Sequence, residues 1–319
     1  MSDNKRESMD KKVSVIVPTY KRGVDILSRA ITSLLEQTYQ NFEIVLVDDN
    51  ATEETIEYRK EVSDYVESLC CDKIIYIQNE ENFGSAKSRN EGIFRATGEY
   101  VTFLDDDDKY LKDKVKNQVE FMVNNELDMS FTNIAILNQD NKVIDFREFR
   151  RIKDFSNEKL LQYHLTKKIT PTDIYMVKTE CIKSVGGFDT HGMGDELVLM
   201  TKLIESGIKM GYLDDTQVIL YREGQASLTV GKNRLEEEKK VYVFIKQYFD
   251  KLTLRQRCYV RFRYNVMKIV TYKREGKIAK MLISIIMAFL SDPISFFVEP
   301  VRMGKNLRDC RNMIVEKEV

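Results

Sequence analysis

Four consecutive aspartates, Asp105 to Asp108, are the residues whose type and spacing most clearly indicate chemistry. Carboxylates a few ångströms apart raise one another's pKa, because neighbouring negative charges resist ionising together. A bound divalent cation removes that conflict, and Mg²⁺ or Mn²⁺ is usually shared between one or two carboxylates and the phosphates of a substrate. In an extended segment alternate side chains face the same way, so we expect Asp105 and Asp107 to point together. The sequence thus predicts a site for a metal and a phosphorylated ligand.

Two further polar groups follow apolar runs, namely Pro18-Thr19-Tyr20 and Asp48-Asp49-Asn50. Taken alone, an acidic pair after a strand is most simply a polar turn. The chain contains no G-x-x-x-x-G-K-[ST] sequence, and no G-x-G-x-x-G follows its first apolar run. The common ATPase and dinucleotide-binding functions therefore lose their main support. A nucleotide would have to be held in another way, with an acidic side chain accepting hydrogen bonds from a base or ribose.

These groups can meet only if the elements before them form one sheet. Short apolar runs typical of buried strands begin near five positions: Val13, Phe42, Lys73, Tyr100 and Asp128. Stretches with helical spacing lie between several of them, and this alternation predicts an α/β domain whose mostly parallel sheet is covered by helices on both faces. Ligands of such sheets bind beyond the carboxyl ends of the strands.

The pattern changes after Ile136. Asn138 to Asn141 is typical of a turn between short strands, and the next predicted elements are strands at Asp173–Val177 and Lys209–Tyr221 and a helix at Asp195–Ser206. Three helices are predicted thereafter: Leu235–Leu252, Leu254–Tyr272 and Ile278–Leu290, the last ended by Asp292-Pro293. We therefore predict a polar extension at 1–11, a mixed α/β domain at 12–231 and a helical region at 232–319.

Several segments in this order resemble the family 2 glycosyltransferases, which have the Rossmann-like GT-A fold. They are VSVIVPTYKR, FEIVLVDDNATEET, NFGSAKSRNEGIFRATGEYVTFLDDDD and GGFD followed by GDELVLMTKL. The resemblance covers about residues 12 to 225. It implies metal-dependent transfer of a sugar from a nucleotide diphosphate donor, with a UDP-sugar favoured, to an acceptor hydroxyl with inversion, in the synthesis of a surface polysaccharide or glycoconjugate. Processive members carry Q-x-x-R-W, and this chain has no Trp, so one sugar per encounter is expected.

The resemblance implies donor-binding roles at the ends of the first two strands. The loop against the nucleotide corresponds to Pro18, Thr19 and Tyr20. Asp49 matches the carboxylate that contacts the base, and Asp48 lies beside it.

Two basic residues and the aspartate run complete the donor site that the resemblance implies. Lys87 and Arg89 match basic residues near the nucleotide and diphosphate, with a solvated helix face as the alternative. Asp105 matches the D-x-D carboxylate near the ribose, and Asp107 the one that binds Mn²⁺ or Mg²⁺. Asp106, between them, would substitute in a shifted register.

The general base implied by the resemblance is Asp195, which follows Gly194 at the start of a predicted helix. Its neighbour Glu196 is the rival if the register slips by one residue. A purely structural role remains open, because acidic residues in a first helical turn are favoured by the helix dipole. The turn Gly186–Asp189 resembles the one that shapes the acceptor side.

Two other functions remain open at this stage. A nucleotidyltransferase or a non-catalytic nucleotide-sugar-binding protein would share the sheet and the metal site. Nucleotidyltransferases of similar architecture usually carry a Gly-rich loop with Arg and Lys after the first strand, whereas this chain has PTYKR with Gly23 alone. Glycosyl transfer is therefore favoured, with a saccharide or lipid-linked acceptor.

The formal charge of −1 conceals an uneven distribution. Leu235 to Val319 contains 18 basic and 10 acidic residues, so this tail is positive and the rest of the chain is negative. One interpretation is a helix packed on the catalytic domain with a solvated basic side. The other is a basic amphipathic region on an anionic membrane surface. Nucleic acid is not expected, because the acidic body would repel phosphate.

Composition favours a globular protein of an intracellular compartment. With 43% hydrophobic and 32% charged residues the chain is too apolar for disorder, and its five scattered cysteines favour a reducing compartment without a structural zinc site. The polar N-terminal segment has no apolar core of a signal peptide. We therefore expect a cytoplasmic protein, peripheral on the inner face of the membrane if the tail binds lipid.

Overall fold

The computed structural model describes residues 10–190, 194–222 and 234–315. Its strands are β1 (Val13–Thr19), β2 (Phe42–Asp48), β3 (Ile74–Gln78), β4 (Tyr100–Phe103), β5 (Lys109–Tyr110), β6 (Met129–Asn138), β7 (Val143–Arg147), β8 (Tyr175–Lys178) and β9 (Met210–Arg222). Its helices are α1 (Val24–Leu35), α2 (Ile56–Leu69), α3 (Gly84–Arg95), α4 (Lys114–Asn124), α5 (Asn157–Lys167), α6 (Thr179–Ser184), α7 (Asp195–Glu205), α8 (Arg234–Lys246), α9 (Leu254–Arg274), α10 (Ile278–Ser291) and α11 (Pro293–Val315).

The described strands form one sheet in the order β3-β2-β1-β4-β8-β6-β9-β5, with β7 paired to β6. The first four strands pair in parallel, as the alternation of strands and helices predicts. β8 then runs antiparallel between β4 and β6, which restores β6 to the direction of β4. β9 lies parallel to β6. The carboxyl ends of β1, β2, β4 and β6 therefore lie at the same edge of the sheet.

The sheet forms because its central strands are apolar on both faces. Every residue of β2 is buried, and so is every residue of β1 except the half-buried Pro18. Helix α1 covers one face with Leu27, Ile31 and Leu34, which recur at helical spacing and are fully buried. Burial on both faces is characteristic of strands in a parallel sheet covered by helices, and it fixes where the loops at the strand ends must meet.

Most predicted elements are found, but helices α5 and α6 and strand β5 had no counterpart in the sequence analysis, and three further differences concern predicted segments. Asp173 belongs to a 3₁₀ turn that precedes β8 instead of to the strand itself. Asn138–Asn141 is the predicted turn, but the strand before it, β6, has ten residues and is not short. Asp292-Pro293 ends α10 yet also begins α11, a helix that the sequence analysis missed. Pro lacks a backbone N–H and suits the first position of a helix, so it permits this restart.

The helical tail packs on the sheet domain. Ile245, Leu252 and Val260 belong to the main hydrophobic core, and α11 packs on β7. The Nζ of Lys167 on α5 lies 2.9 Å from a carboxylate oxygen of Glu299 on α11. The predicted packing of the tail on the domain is therefore confirmed for these helices, and membrane binding by their outer side stays a prediction. The predicted domain boundaries at residues 11 and 231 remain predictions, and residue 231 lies outside the described residues.

Candidate active site

The aspartate run after β4 forms a tight turn, in which the backbone N–H of Asp108 donates to the carbonyl of Asp105 at 3.0 Å. This turn makes one part of the sequence analysis wrong. Asp105 and Asp107 were expected to point together, but side chains alternate only in extended backbone. Instead Asp106 and Asp107 share one arginine, while Asp105 joins a second cluster.

Arg22, just after β1, binds two of the four aspartates. Its Nε donates to Asp106 at 3.0 Å and its Nη2 to Asp107 at 2.8 Å. The hydroxyl of Thr19 also donates to Asp106 at 2.8 Å. Burial raises the pKa of Asp106 to about 6, although Arg22 lowers it. Burial likewise raises the pKa of Asp107. The predicted metal ligand Asp107 is thus already paired with the side chain of Arg22.

Asp105, Asp108 and Asp173 form a different cluster, in which one carboxylate oxygen from each residue lies within 4.8 Å of the others. Asp173 is fully buried, and its Oδ1 accepts from the backbone N–H of Asp105 at 2.8 Å. Its Oδ2 is buried without a hydrogen-bond partner among the described residues. Burial, and then the neighbouring carboxylates, raise the pKa of both Asp108 and Asp173 well above the usual range. Three converging carboxylates with an unused oxygen fit a hard divalent cation, which prefers oxygen ligands.

Arg89 on α3 joins the aspartate turn to the candidate base. It is buried, donates from Nη2 to Asp105 at 2.6 Å, and has Nη1 3.9 Å from Asp195 Oδ2. Burial opposes its charge, but the carboxylates of Asp105, Glu196 and Asp195 raise its pKa above the ordinary value. The alternative that Arg89 lies on a solvated helix face is therefore wrong. Arg89 instead bridges Asp105 after β4 and Asp195 at the start of α7.

The two candidate bases begin α7, after Gly194 in the left-handed conformation. Burial raises the pKa of Asp195, and it raises that of Glu196 to about 7, while Arg89 lowers both. A carboxylate with a raised pKa accepts a proton more readily at neutral pH than an ordinary surface carboxylate. Either residue is therefore electrostatically suited to act as a general base.

Asn90 fixes the predicted acceptor-side turn against α3. Its Oδ1 accepts from the backbone N–H of Phe188 at 2.8 Å, and its Nδ2 donates to the Phe188 carbonyl at 2.9 Å. Gly186 and Gly187 before it have φ of 77° and 66°, values that favour glycine. The AKSRN and GGFD motifs, almost 100 residues apart, are therefore one structural unit next to Arg89.

The carboxylates after β2 have partners within the chain. Asp48 accepts from the Tyr76 hydroxyl at 2.6 Å and from the backbone N–H of Asn50 at 2.8 Å. Asp49 accepts from the backbone N–H groups of Phe83 and Gly84 at 2.8 Å each, so it caps the start of α3. These bonds hold the loop after β2 against α3. Whether either aspartate also contacts a nucleotide stays a prediction.

The remaining predicted donor-binding residues line the same edge less tightly. Pro18 is half-buried at the end of β1, and Tyr20 is 40% exposed in the turn that follows. The ammonium of Lys87 lies 3.2 Å from the centroid of the Phe83 ring and 3.9 Å from Glu81. Lys87 thus lies on the more exposed side of α3, whereas Arg89 faces inward.

Sequence reasoning missed Arg22, Asn90 and Asp173 as parts of the site, and it gave Asp108 no role of its own within the aspartate run. Arg22 and Asn90 lie inside the quoted motifs, so their position next to predicted residues could have drawn attention to them. Asp173 has no such signal, because a single acidic residue before a strand carries no pattern. It enters the site only because β8 is inserted beside β4.

Residues 14–181 match the family described as Glycosyl transferase family 2. The chain belongs to glycosyltransferase family 2. An uncharacterized glycosyltransferase of Rickettsia felis is 40% identical over 137 residues, or 43% of this chain and 21% of that protein. The Escherichia coli protein WfgD, a UDP-Glc:alpha-D-GlcNAc-diphosphoundecaprenol beta-1,3-glucosyltransferase, is 32% identical over 137 residues, or 43% of this chain and 51% of WfgD. The matches thus span about half or less of these curated relatives.

The family 2 assignment agrees with the fold. The crystal structure of S. aureus TarS 1-349 in complex with UDP-GlcNAc superposes with a TM-score of 0.57 at 18% identity, covering 88% of this chain and 91% of that one. The chain therefore has the expected GT-A-like α/β fold followed by C-terminal helices. The family resemblance drawn from the motifs is confirmed.

Proposed function

We propose that this family 2 glycosyltransferase moves one sugar from a UDP-sugar to a hydroxyl of a saccharide or lipid-linked acceptor, with inversion. The observation that carries the proposal is the position of Arg89, between Asp105 after β4 and Asp195 at the start of α7. Arg89 contacts Asp105, which belongs to a carboxylate cluster suited to bind a metal ion and the diphosphate of the donor. It also lies next to Asp195, a carboxylate suited to accept a proton. The groups that would stabilise the leaving diphosphate and accept the proton of the acceptor hydroxyl are therefore adjacent.

The cluster of Asp105, Asp108 and Asp173 is the proposed Mn²⁺ or Mg²⁺ site. Its fit rests on the converging carboxylates and on the unpartnered Oδ2 of Asp173. A cation there would offset the negative charge that develops on the leaving diphosphate. The aspartates would hold the cation, and Arg22 would keep the turn in place through Asp106 and Asp107.

Asp195 is the proposed general base, with Glu196 as the rival in the next position. An acceptor hydroxyl is a weak acid, so a carboxylate within hydrogen-bond reach must take its proton as the new bond forms. Attack from the face opposite the leaving group inverts the anomeric centre. Arg89 keeps Asp195 oriented and balances the charge of the buried carboxylates. It is a positioning residue in this scheme.

The donor and acceptor classes are suggested by the relatives. WfgD is named for UDP-Glc and a diphosphoundecaprenol-linked acceptor, and TarS has been crystallised with UDP-GlcNAc. We therefore propose a UDP-hexose donor and a role in surface polysaccharide or glycoconjugate synthesis. Thermal stabilisation by UDP-, GDP- and TDP-sugars in Mn²⁺ would identify the base, because a ligand that binds only the folded state raises the melting temperature.

The decisive test separates Asp195 from Glu196. We expect Asp195→Asn to lower turnover by at least about 100-fold, the size of a general-base contribution, with UDP-sugar affinity nearly unchanged. Glu196→Gln is the matched control, since it removes the adjacent charge. Turnover is read as UDP release with a saccharide or undecaprenyl-linked acceptor, and affinity by calorimetry. A larger loss of turnover in Glu196→Gln than in Asp195→Asn would assign the general-base role to Glu196. Unchanged turnover in both variants would overturn the mechanism.

A further inference from the structure

Helix α10 has its small residues inside and its large apolar residues outside. Ser284 and Ala288 are buried, and Ala288 packs with Tyr259 and Phe262 of α9. On the opposite side large apolar side chains are 40% to 65% exposed: Ile278, Leu282, Ile283, Ile286, Met287, Phe289 and Leu290. A surface helix in water normally has the reverse arrangement, with its large apolar residues facing the core. The outer side of α10 therefore matches an apolar medium better than water.

The exposed side continues onto α11, where four more large apolar residues are at least half exposed: Ile294, Phe297, Val298 and Val301. We call these eleven residues of α10 and α11 the apolar face. They make up eleven of the 17 exposed large apolar residues found in the described ranges. Isolated exposed apolar residues are ordinary, but a contiguous set of this size marks an interaction surface.

Basic residues surround the apolar face. Lys273, Arg274, Lys277 and Lys280 are exposed at the α9–α10 turn, and Lys305 and Arg308 are exposed farther along α11. The carboxylates of Glu275, Asp292 and Glu299, whose side chains the structure describes near this face, are already engaged. Glu275 pairs with Lys277, Glu299 pairs with Lys167 and Arg302, and Asp292 accepts from the backbone and hydroxyl of Ser295. An apolar surface bordered by exposed basic residues complements an anionic lipid surface.

The geometry favours lying in the membrane interface. In the described part of the chain no single helix is long and apolar enough to cross a membrane. Helix α10 and the Pro293–Arg302 part of α11 reach that length and composition only together, and they meet at a bend of 102°. Helix α10 has 14 residues, whereas a span needs about 20. Two short helices bent across each other expose a broad, shallow face, which suits insertion to the depth of the lipid headgroups.

Helix α11, which carries part of the apolar face, packs on β7 near the edge of the sheet that holds the candidate site. Strand β6 runs in the direction of β4, and Ser130 and Thr102 both pair with Met176 of the strand between them. Residues Ile134–Leu137 therefore extend past the level of Phe103 toward the aspartate turn. Strand β7 pairs with these residues, and α11 packs on β7. A surface bound at α11 would thus lie on the side where the donor and acceptor meet.

We propose that the apolar face is a docking site for an anionic phospholipid bilayer, on which the chain lies as a peripheral protein. The apolar side chains enter the headgroup region, and the surrounding Lys and Arg residues bind lipid phosphates. This proposal stands on the surface of α10 and α11 alone and does not depend on the donor or on the catalytic base.

The test is flotation of the full chain with vesicles of mixed phosphatidylglycerol and phosphatidylethanolamine, and with vesicles of phosphatidylcholine. One variant carries three charges on the face, Ile286→Glu, Leu290→Glu and Phe297→Glu. Its matched control carries the same change at three exposed apolar positions elsewhere, Ile56→Glu, Phe94→Glu and Leu254→Glu. All six positions are exposed, so the thermal melt of both variants is expected to stay close to that of the unaltered chain.

We expect the unaltered chain and the control to float with the anionic vesicles, and the face variant to lose at least tenfold in bound fraction. A second variant with Lys273→Gln, Arg274→Gln and Lys280→Gln should lose most binding to anionic vesicles. Equal flotation of the face variant and the control would overturn the proposal. So would absence of flotation by the unaltered chain together with a dimer that the face variant converts to monomer, because a second copy would then be the occupant.

Discussion

Asp173 shows how a single residue acquires a role from its position in the fold. In the sequence it is one acidic residue among 51, and nothing around it suggests a ligand. In the structure it is fully buried beside Asp105 and Asp108, and burial raises its pKa well above the usual range. A buried carboxyl whose second oxygen has no partner would normally be costly, unless a ligand uses that oxygen.

For individual residues, the sequence predicted the correct location of the site but missed several of the contacts within it. The sequence analysis singled out both Asp105 and Asp195, and the structure places them next to the two terminal nitrogens of the Arg89 guanidinium group. The family resemblance assigned the metal to Asp107, and only the expectation that Asp107 points together with Asp105 depended on extended backbone, whereas the segment forms a tight turn. The sequence also could not reveal Asp173, because its neighbours come from long-range strand pairing.

We therefore expect Asp173→Asn to weaken Mn²⁺ binding by at least about tenfold, a typical effect of disturbing a metal site. The metal-free protein should keep its stability, because Asn has the same shape and can still accept from the Asp105 N–H. Calorimetry with Mn²⁺ and UDP measures the affinity, and a thermal melt without metal checks the fold.

Asp107→Asn is the matched control for that experiment, since it changes the ligand that the sequence alone predicted. In the structure Asp107 pairs with Arg22, so its effect on Mn²⁺ affinity should be smaller than that of Asp173→Asn. The opposite ranking would restore Asp107 as the ligand and would require the Arg22 pair to open when the metal binds.

At the scale of elements, the site depends on how α3 meets the turn before α7. Asn90 holds that turn through Phe188, and the Phe188 ring packs edge-on against Phe103 of β4 at 5.3 Å between centroids. Arg89 is the preceding residue on the same helix. A small displacement of the turn would therefore move the arginine that joins Asp105 to Asp195. The AKSRN and GGFD motifs were recognisable in the sequence, but the direct contact between them was not predictable from it.

Two adjacent glycines test this coupling. A side-chain carbon added at Gly187 would lie 2.3 Å from the Asn90 Oδ1, whereas one added at Gly186 would meet nothing within 4 Å. Both positions have positive φ, so each Ala variant should lose about 1–2 kcal/mol from backbone strain. Gly187→Ala should lose more, because Asn90 must move.

The activity of these variants should differ more than their stability. We expect Gly186→Ala to keep most of its turnover and Gly187→Ala to lose at least tenfold, since the displaced Asn90 lies beside Arg89. Chemical denaturation and UDP release under the same conditions provide the two measurements. Equal losses of activity in the two variants would show that the contact between α3 and the turn does not support the site.

At the scale of the whole molecule, the C-terminal helices have two different surfaces. Their inner residues complete the domain, since Ile245, Leu252 and Val260 join the main core and Lys251 pairs with Glu205 at 2.7 Å. Their outer residues on α10 and α11 form the apolar face. The composition of the tail predicted both properties as alternatives, because a charge count does not say which side of a helix is covered. The structure separates them along the chain, with α8 and α9 mainly supporting the domain.

This separation predicts different results for two truncations. A chain ending at Gly276 keeps α8 and α9, so it should still unfold cooperatively, although it loses the cluster around Phe262 and Ala288, the packing of α11 on β7 and the Lys167–Glu299 pair. A chain ending near Lys232 would expose the core positions that contact Ile245, Leu252 and Val260. Each such buried side chain contributes about 1.5–3 kcal/mol, so the loss should be several kcal/mol out of a typical total of about 5–15 kcal/mol.

Denaturant unfolding of both truncated chains and the full chain measures these differences, and vesicle flotation on the same samples connects them to the membrane proposal. We expect the chain ending at Gly276 to be folded and to stay with the soluble fraction, because it lacks the apolar face. The shorter chain cannot serve as the control, since core residues exposed by partial unfolding would bind lipid nonspecifically. If the chain ending near Lys232 were as stable as the full chain, the helical tail would be an independent unit instead of a part of the catalytic domain.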